Sequence, residues 1–213
     1  MELYIGIDPS MNSTGVWIKA EEKNKLINEY IYIIVPEIKK KMIKSCEKII
    51  SENINFKYIQ YNKIDLSLYE NNNHWSEFYK TCNMINIMES IEFIIDDTIK
   101  KFPKKHINIH ICQEGISYGS IHTKSVFDLA GLNYLLRFII ITKHKDITLT
   151  IATPSEIKKY ATEKGNANKE LMLSVFIPTH KWVLDINKND DICDAYYMAC
   201  YSKKTFNEEK LLK

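Results

Sequence analysis

Three apolar segments follow one another within the first 35 residues, separated by short polar turns. Residues 3–8, 15–19 and 27–35 each have the length and the composition of a β-strand. Strands joined by such short links usually pair with their neighbours along the chain, so the sequence predicts an antiparallel meander at its start. The meander limits the possible folds to those whose sheet begins with consecutive antiparallel strands.

Helical and strand-like patterns then alternate through the rest of the chain. Apolar residues at helical spacing extend over 74–102 and end at Pro103. Next come a strand at 107–113, a helix at 121–142, a strand at 147–152, a short helix capped by Ser155, a helix at 166–176, and a last helix at 190–204 capped by Asn189. The prediction is an α/β fold in which helices flank a mixed central sheet.

Residues 36–73 fit this pattern less well. They combine a lysine-rich helix, a strand-like piece rich in Tyr and Ile, and a polar break at 71–73. We interpret them as an insertion into a single domain that covers residues 1–213, since that length suits one α/β domain with additions.

The composition is that of an ordinary soluble globular protein, with 45% hydrophobic and 26% charged residues. A net charge of +2 neither requires nor excludes a nucleic-acid partner, but lysines cluster in short runs such as 39–44 and 158–164 that would suit a phosphate backbone. The five cysteines form no CxxC pair, which is typical of reduced thiols. Without a signal peptide or a membrane-length apolar run, we expect a cytoplasmic protein, or one in the host cytoplasm if it is viral.

Four carboxylates lie at positions where α/β proteins commonly form an active site. Asp8 ends the first strand and Glu114 follows a later one, and the carboxyl ends of neighbouring strands are where α/β sheets bind ligands. Asp191 and Asp194 lie three residues apart on the last helix, so they share a face. The negative charges of the four carboxylates repel one another unless cations are present, and carboxylate oxygens are suitable ligands for two divalent ions. Asp190 shares a face with Asp194 and is an alternative to Asp191.

Each carboxylate also has a purely structural interpretation. Asp8 could form a turn, and Asp191 and Asp194 could simply favour the positive end of the helix dipole. Only the joint pattern favours a catalytic site over these alternatives.

The motifs that carry these residues resemble those of a known family. In order and spacing they are similar to the acidic motifs of RuvC-type Holliday junction resolvases, which belong to the ribonuclease H-like and retroviral integrase superfamily. The matching segments are Ile5-Gly6-Ile7-Asp8-Pro9-Ser10 with Thr14-Gly15, Gln113-Glu114-Gly115, Thr153-Pro154-Ser155-Glu156-Ile157-Lys158 with Lys164-Gly165 and Asn168-Lys169, and Asp191-Ile192-Cys193-Asp194-Ala195.

The resemblance implies a ribonuclease H-like fold, a homodimer, and two Mg²⁺ or Mn²⁺ ions per active site that support paired nicks across a four-way DNA junction. Asp8, Glu114, Asp191 and Asp194 would be the metal ligands. Lys158 and Lys169 would be catalytic lysines beside the scissile phosphate, where surface lysines are the structural alternative.

The resemblance also implies DNA contacts. Tyr118 follows the second acid and is a candidate for the family's aromatic that wedges into the junction, with an ordinary loop tyrosine as the alternative, while Lys124 and Lys164 would contact the DNA. Residues 36–73 exceed what the family core needs, which leaves the dimer geometry open. The helix at 121–142 could be core or dimer face.

Other functions share parts of this pattern. A nuclease of the same fold could act on a flap or other branched DNA, in a packaging motor, or on an RNA·DNA hybrid. A DNA-binding relative without catalysis would carry no need for the complete acid set. The segment around Asp8 also resembles the first phosphate loop of sugar kinases and actin-like ATPases, but no second glycine-rich phosphate loop follows it.

Overall fold

The protein, represented by a computed structural model, is built on one six-stranded sheet. The structure describes residues 1–69, 73–103, 105–116, 124–144, 147–186 and 189–211, without the side chains of 68, 69, 73, 124 and 125. In order across the sheet the strands are β4-β3-β2-β1-β5-β6. Their bounds are Glu2–Asp8 (β1), Thr14–Glu22 (β2), Lys25–Val35 (β3), Phe56–Gln60 (β4), Asn108–Glu114 (β5) and Ile147–Ala152 (β6).

The strand directions give the sheet its type. β1, β2 and β3 form an antiparallel meander, and β5 and β6 run parallel to β1. The predicted ribonuclease H-like arrangement, a meander followed by parallel strands, is confirmed. β4 adds an outer strand parallel to β3. It comes from residues 36–73, whose status as an insertion stays a prediction.

Helices cover both faces of the sheet. One core lies between the sheet and α2 and α3, and a second lies between the opposite face and α1, α4, α5 and α6. The helices are Lys40–Ser51 (α1), Asn73–Lys100 (α2), Lys124–Lys143 (α3), Pro154–Thr162 (α4), Lys169–Phe176 (α5) and Asn189–Leu211 (α6). Short 3-10 helices lie at Leu66–Tyr69 and Lys181–Asp185.

Side-chain alternation decides which face of the sheet carries the acids. Leu3, Ile5 and Ile7 of β1 are buried in the core beneath α2 and α3. Successive side chains of a strand point to opposite faces, so Gly6 and Asp8 face α6 instead. The same alternation in β5 places Glu114 on the α6 face and buried Gln113 on the α3 face.

The predicted cap of α4 at Ser155 is wrong. The cap is Thr153, whose hydroxyl accepts from the Glu156 amide at 3.3 Å while the Glu156 carboxylate accepts from the Thr153 amide at 2.7 Å. Pro154 then occupies the first helical turn, where its fixed φ favours the helix and its missing N–H has no cost. Hydrogen bonds given and received by one pair outweigh the single cap that Ser155 would offer.

Two other helix boundaries differ from the prediction. α5 begins at Lys169 rather than 166, because the Asn168 side chain caps it by accepting from the Leu171 amide at 2.9 Å. α6 continues to Leu211, well past 204, and Asn189, predicted as its cap, is its first residue. The extra turns pack Phe206 onto His110, with ring centroids 3.8 Å apart.

Two observations concern the possibility of a membrane span and the state of the cysteines. Within the described residues, no helix combines the length and the apolar character that crossing a membrane requires. All five cysteines are free thiols, with Cys112 and Cys193 buried.

Candidate active site

The ends of two neighbouring strands bring the first two acids together. β1 and β5 are parallel partners in register up to the pair Ile7 and Gln113, so the next residue on each strand is an acid. Asp8 and Glu114 therefore leave adjacent strand ends on the same face of the sheet. Both side chains are half-buried.

α6 reaches these strand ends because two glycines let it lie directly on the strand backbones. A Cβ on Gly6 would stand 1.9 Å from the Ala195 carbonyl oxygen, and one on Gly15 would stand 2.3 Å from the Asp191 carbonyl oxygen. No other residue type permits so close an approach. The contact fixes the first turns of α6, with its acids, above the end of β1.

The electrostatics show that the acids act on one another. Burial, followed by the charges of Glu114, Asp194, Asp191 and Asp190, raises the pKa of Asp8 well above its usual range. Burial and then Asp194 raise the pKa of Glu114 to about 7, and burial and then Asp190 raise the pKa of Asp194 to about 6. Each carboxylate disfavours the ionisation of its neighbours, which is the signature of a converging acidic cluster.

A cleft of about 190 Å³ opens beside these acids and contains both predicted lysines. Its lining combines acids, lysines and an apolar wall: Glu114, Pro154, Lys158, Lys169, Met172, Leu173, Asp190, Cys193 and Asp194. Lys158, on α4, lowers the pKa of Glu114 and of Asp194, so its ammonium lies within electrostatic reach of both. Asp8 and Asp191 lie outside this lining, although both interact with the cluster electrostatically.

Asp190 has a specific partner. It forms an ion pair with Lys169, and this hydrogen bond is the main reason why the pKa of Lys169 is raised. Asp190 lines the cleft, whereas Asp191 has the larger effect on the pKa of Asp8. Both residues therefore stay candidates for the fourth ligand, with Asp191 on the side of Asp8 and Asp190 on the side of Lys169.

Gln113 and Asn133 are site residues that sequence reasoning missed. Gln113 is fully buried on the α3 face, directly before Glu114. Its amide donates to the Asn133 side-chain oxygen at 2.5 Å and to the Asn133 carbonyl at 3.2 Å. These bonds tie the end of β5 to α3 and so hold the backbone from which Glu114 projects. The available signal was a polar residue inside an otherwise apolar strand.

The loop after β1 is held by its own hydrogen bonds. The Thr14 hydroxyl accepts from the Ser10 amide at 3.1 Å and donates to the Ser10 carbonyl at 2.9 Å. Tyr61, which follows β4, donates its hydroxyl to the Met11 carbonyl at 2.8 Å. The turn that carries the chain past Asp8 is thereby fixed from both sides.

The structure tests the position of only one of the three predicted DNA contacts. Tyr118 lies outside the described residues, and Lys124 begins α3 with a side chain that is also outside them. Lys164 is exposed after α4 and does not line the cleft.

The donor set suits a hard divalent cation better than any other group. It contains carboxylate oxygens, whose mutual repulsion a cation would relieve, and such oxygens are the ligands that Mg²⁺ and Mn²⁺ prefer. As the side chains stand, no group of three or more His, Cys, Asp or Glu within the described residues forms a preformed metal site.

A larger cavity elsewhere has a different character. Its volume is about 280 Å³, and its lining includes Trp17, Glu29, His180 and Trp182. Glu29, its one carboxylate, accepts from the Trp17 indole at 3.1 Å and pairs with Lys19 at 3.4 Å, so its charge is satisfied within the fold. The acidic cluster is absent from this lining.

No family model matches the sequence, and neither does any curated protein. Among solved structures, the Thermus thermophilus RuvC structure is similar at 10% identity with a TM-score of 0.45, over 92% of this chain and 90% of that one. The T. thermophilus RuvC in complex with a Holliday junction substrate is similar at 10% identity with a TM-score of 0.37, with the same coverage of 92% and 90%. The yeast mitochondrial Holliday junction resolvase Ydc2 is similar at 12% identity with a TM-score of 0.48, over 98% of this chain and 83% of that one. These likenesses concern the fold, which the strand order and directions establish on their own.

Proposed function

We propose that this protein is a metal-dependent endonuclease of branched DNA, acting as a Holliday junction resolvase that makes paired nicks. The observation that carries the proposal is the convergence of acids at one end of the sheet: Glu114 and Asp194 raise the pKa of Asp8, and Asp194 raises the pKa of Glu114. A fold gains no stability from such repulsion, and a bound cation would relieve it. The sequence motifs around the same residues supply the substrate class.

Each residue of the cleft has a distinct task in this proposal. Asp8, Glu114 and Asp194, with Asp191 or Asp190, would hold two divalent ions. When bound, the ions would activate water for in-line attack and neutralise charge on the phosphate. Lys158 would place its ammonium beside the scissile phosphate, where it offsets charge that develops during cleavage. Lys169 would do the same once the incoming phosphate competes with Asp190 for its ammonium.

The test is cleavage of a set of labelled substrates by the purified protein. A four-way junction, a flap, a plain duplex and an RNA·DNA hybrid are each incubated with Mg²⁺, Mn²⁺ or a chelator. We expect symmetric paired nicks in the junction and no cleavage in the chelator. Cleavage confined to the flap or to the hybrid would replace the junction by that substrate, and metal-independent cleavage would contradict the mechanism.

The first prediction concerns the carboxylates. Asp8→Asn is expected to lower cleavage by about 10³-fold or more while junction affinity changes little, because basic surfaces supply most of the affinity. The matched control is Asp96→Asn, on α2 across the sheet from the cleft. Loss of binding together with cleavage in Asp8→Asn, or equal loss in the control, would contradict a catalytic role.

We also propose that the active form is a homodimer joined through α3. α3 carries a stripe of exposed apolar side chains at helical spacing, formed by Phe127, Tyr134, Phe138 and Ile141, each at least 60% exposed. The opposite side of α3 packs Leu132 and Leu136 into the core. A stripe of this size on a globular protein is typical of a protein interface, and paired nicks require two active sites.

A further inference from the structure

Residues 36–73 place a basic surface at the same end of the sheet as the acidic cluster. β1 ends at Asp8, and β3, which runs in the same direction with antiparallel β2 between them, ends at Val35. α1 begins at Lys40, just after that end of β3, on the face of the sheet that α6 also covers. β3 is two strands from β1, about 10 Å at the usual strand spacing.

Four lysines form this surface. Lys39, Lys40, Lys41 and Lys44 are all exposed, and we call them the α1 surface. Lys40, Lys41 and Lys44 share the side of α1 opposite Met42 and Ile49, which are buried against the sheet. The ammonium groups therefore point away from the core.

The α1 surface is charged without internal compensation. None of its lysines forms an ion pair with a carboxylate among the described residues, whereas Lys48, further along the same helix, pairs with Asp185 at 2.8 Å. At the opposite end of the sheet, Lys105 pairs with Glu22 at 2.5 Å and Lys203 with Glu21 at 2.7 Å, whereas the exposed Lys23, Lys25 and Lys100 also have no ion pair among the described residues. The first turn of α1 also has no acidic residue, so its cations face the positive end of the helix dipole at a cost in stability.

The helix that carries these lysines is firmly held. Met42 and Ile49 are buried in the core beneath α6, and the Cys46 thiol contacts the Phe56 carbonyl at 3.5 Å. The ion pair of Lys48 with Asp185 joins α1 to the segment that leads into α6. The α1 surface is thus fixed relative to the helix that carries Asp194.

We propose that the α1 surface binds the sugar-phosphate backbone of a duplex DNA arm that leaves the cleft. This inference rests on the proposed function for the position of the DNA. Closely spaced exposed cations on a rigid helix, without carboxylate partners, suit a polyanion with regular charge spacing. The distance of about 10 Å from β1 to β3 is shorter than one turn of B-DNA, so one arm can lie across both.

The test compares two variants with equal loss of charge. Lys40→Gln/Lys41→Gln/Lys44→Gln alters the α1 surface, and Lys23→Gln/Lys25→Gln/Lys100→Gln alters exposed lysines at the opposite end of the sheet. Affinity for a short blunt duplex and for a four-way junction is measured in a chelator over a range of salt concentrations. The α1 variant is expected to lose about 10- to 100-fold in affinity, with a salt slope lower by about 2–3, while the control stays within about twofold of the native chain.

The outcomes separate this proposal from the proposed function. If the native chain cleaves no DNA but only the α1 variant loses duplex affinity, the α1 surface stands and the nuclease assignment falls. If the native chain cleaves junctions and both variants bind alike, the α1 proposal is wrong. Binding of the native chain and of the α1 variant to phosphatidylserine vesicles is measured as well. If the α1 variant loses vesicle binding while its DNA affinity is unchanged, the α1 surface binds a membrane and the proposal is wrong. Thermal melts check folding, and the α1 variant is expected to melt no lower than the native chain because it removes cations from a helix N-terminus.

Discussion

At the scale of single residues, Glu114 shows what the acidic cluster does to the protein without metal. Its pKa is raised to about 7 by burial and by Asp194, so above that pH the folded protein carries a charge that its surroundings disfavour. The unfolded chain ionises the same group freely near 4.5. Relative to a neutral side chain, the ionised carboxylate therefore destabilises the fold at neutral and alkaline pH.

Glu114→Gln is accordingly expected to stabilise the metal-free protein at pH 8. Since the side chain is half-buried and partly screened, we expect a gain of about 1–2 kcal/mol, or roughly 2–8 °C in melting temperature. The measurement is a thermal melt in a chelator, with Glu37→Gln, an exposed acid, as control. Added Mg²⁺ should raise the melting temperature of the native chain more than that of the variant. A variant that melts lower than the native chain in the chelator would argue against the repulsion.

His110 provides a pH dependence of opposite sign, far from the cleft. Burial lowers its pKa below the usual 6.5, and this effect exceeds that of its 2.7 Å contact with Glu2, which acts to raise it. Below about pH 6.5 the unfolded chain takes up a proton more readily than the folded chain does. His110 therefore stabilises the fold above that pH and loses this contribution as the pH falls.

His110→Gln should flatten this dependence. Urea denaturation at pH 8 and pH 5.5 gives the change in unfolding free energy for the native chain and for the variant. Taking the difference between the two chains removes the contribution of the carboxylates that do not contact His110, while Glu2, whose pKa His110 lowers, changes together with it. We expect the native chain to lose more stability on acidification than the variant. Equal losses would mean that His110 titrates alike in the folded and unfolded states.

At the scale of elements, the packing of α6 on β1 and β2 decides the geometry of the site. In Gly6→Ala the new Cβ would lie 1.9 Å from the carbonyl oxygen of Ala195. The atoms that it would meet belong to the backbone, so no flexible side chain can move aside to relieve the clash. We expect a loss of about 3 kcal/mol or more in unfolding free energy.

Gly131→Ala is the matched control for this prediction. Its Cβ would lie 3.4 Å from the Met84 sulfur, an ordinary contact with a flexible side chain inside a helix. We expect it to be neutral or to stabilise by about 0.5 kcal/mol, because alanine favours a helix over glycine. Similar denaturation midpoints for the two variants would contradict the close packing of α6.

The sequence predicts elements better than it predicts contacts between them. Period-two and helical patterns locate the strands of the meander and the long helices, because those patterns reflect which face is buried. They also place Asp8 and Glu114 at strand ends. The closeness of Gly6 to Ala195, the bonds of Gln113 to Asn133 and the pairing of Lys169 with Asp190 depend on which elements meet, which local patterns do not encode.

At the scale of the whole molecule, the exposed stripe on α3 predicts the assembly state. Phe138→Glu places a charge in the middle of the stripe, where burial against a second copy would be unfavourable. We expect the native chain to sediment as a dimer of the 25.0 kDa protomer and the variant to sediment as a monomer.

The control for dimerisation is Phe93→Glu. Phe93 is 63% exposed on α2, outside the stripe, and should leave the dimer intact. A monomeric native chain, or a Phe138→Glu variant that still dimerises, would exclude α3 as the interface.

Because the acids of the last helix, α6, reach Asp8 only when that helix packs on Gly6 and Gly15, the acidic centre forms only after α6 has been synthesised. The ribosome makes Asp8 in the first strand and Asp194 in the last helix, so a growing chain can fold its meander long before the second group of acids emerges. A truncated product that ends before α6 would lack Asp190, Asp191 and Asp194, together with a helix that covers one face of the sheet. Under the proposed function, an incomplete chain would therefore lack acids that it needs to cleave DNA.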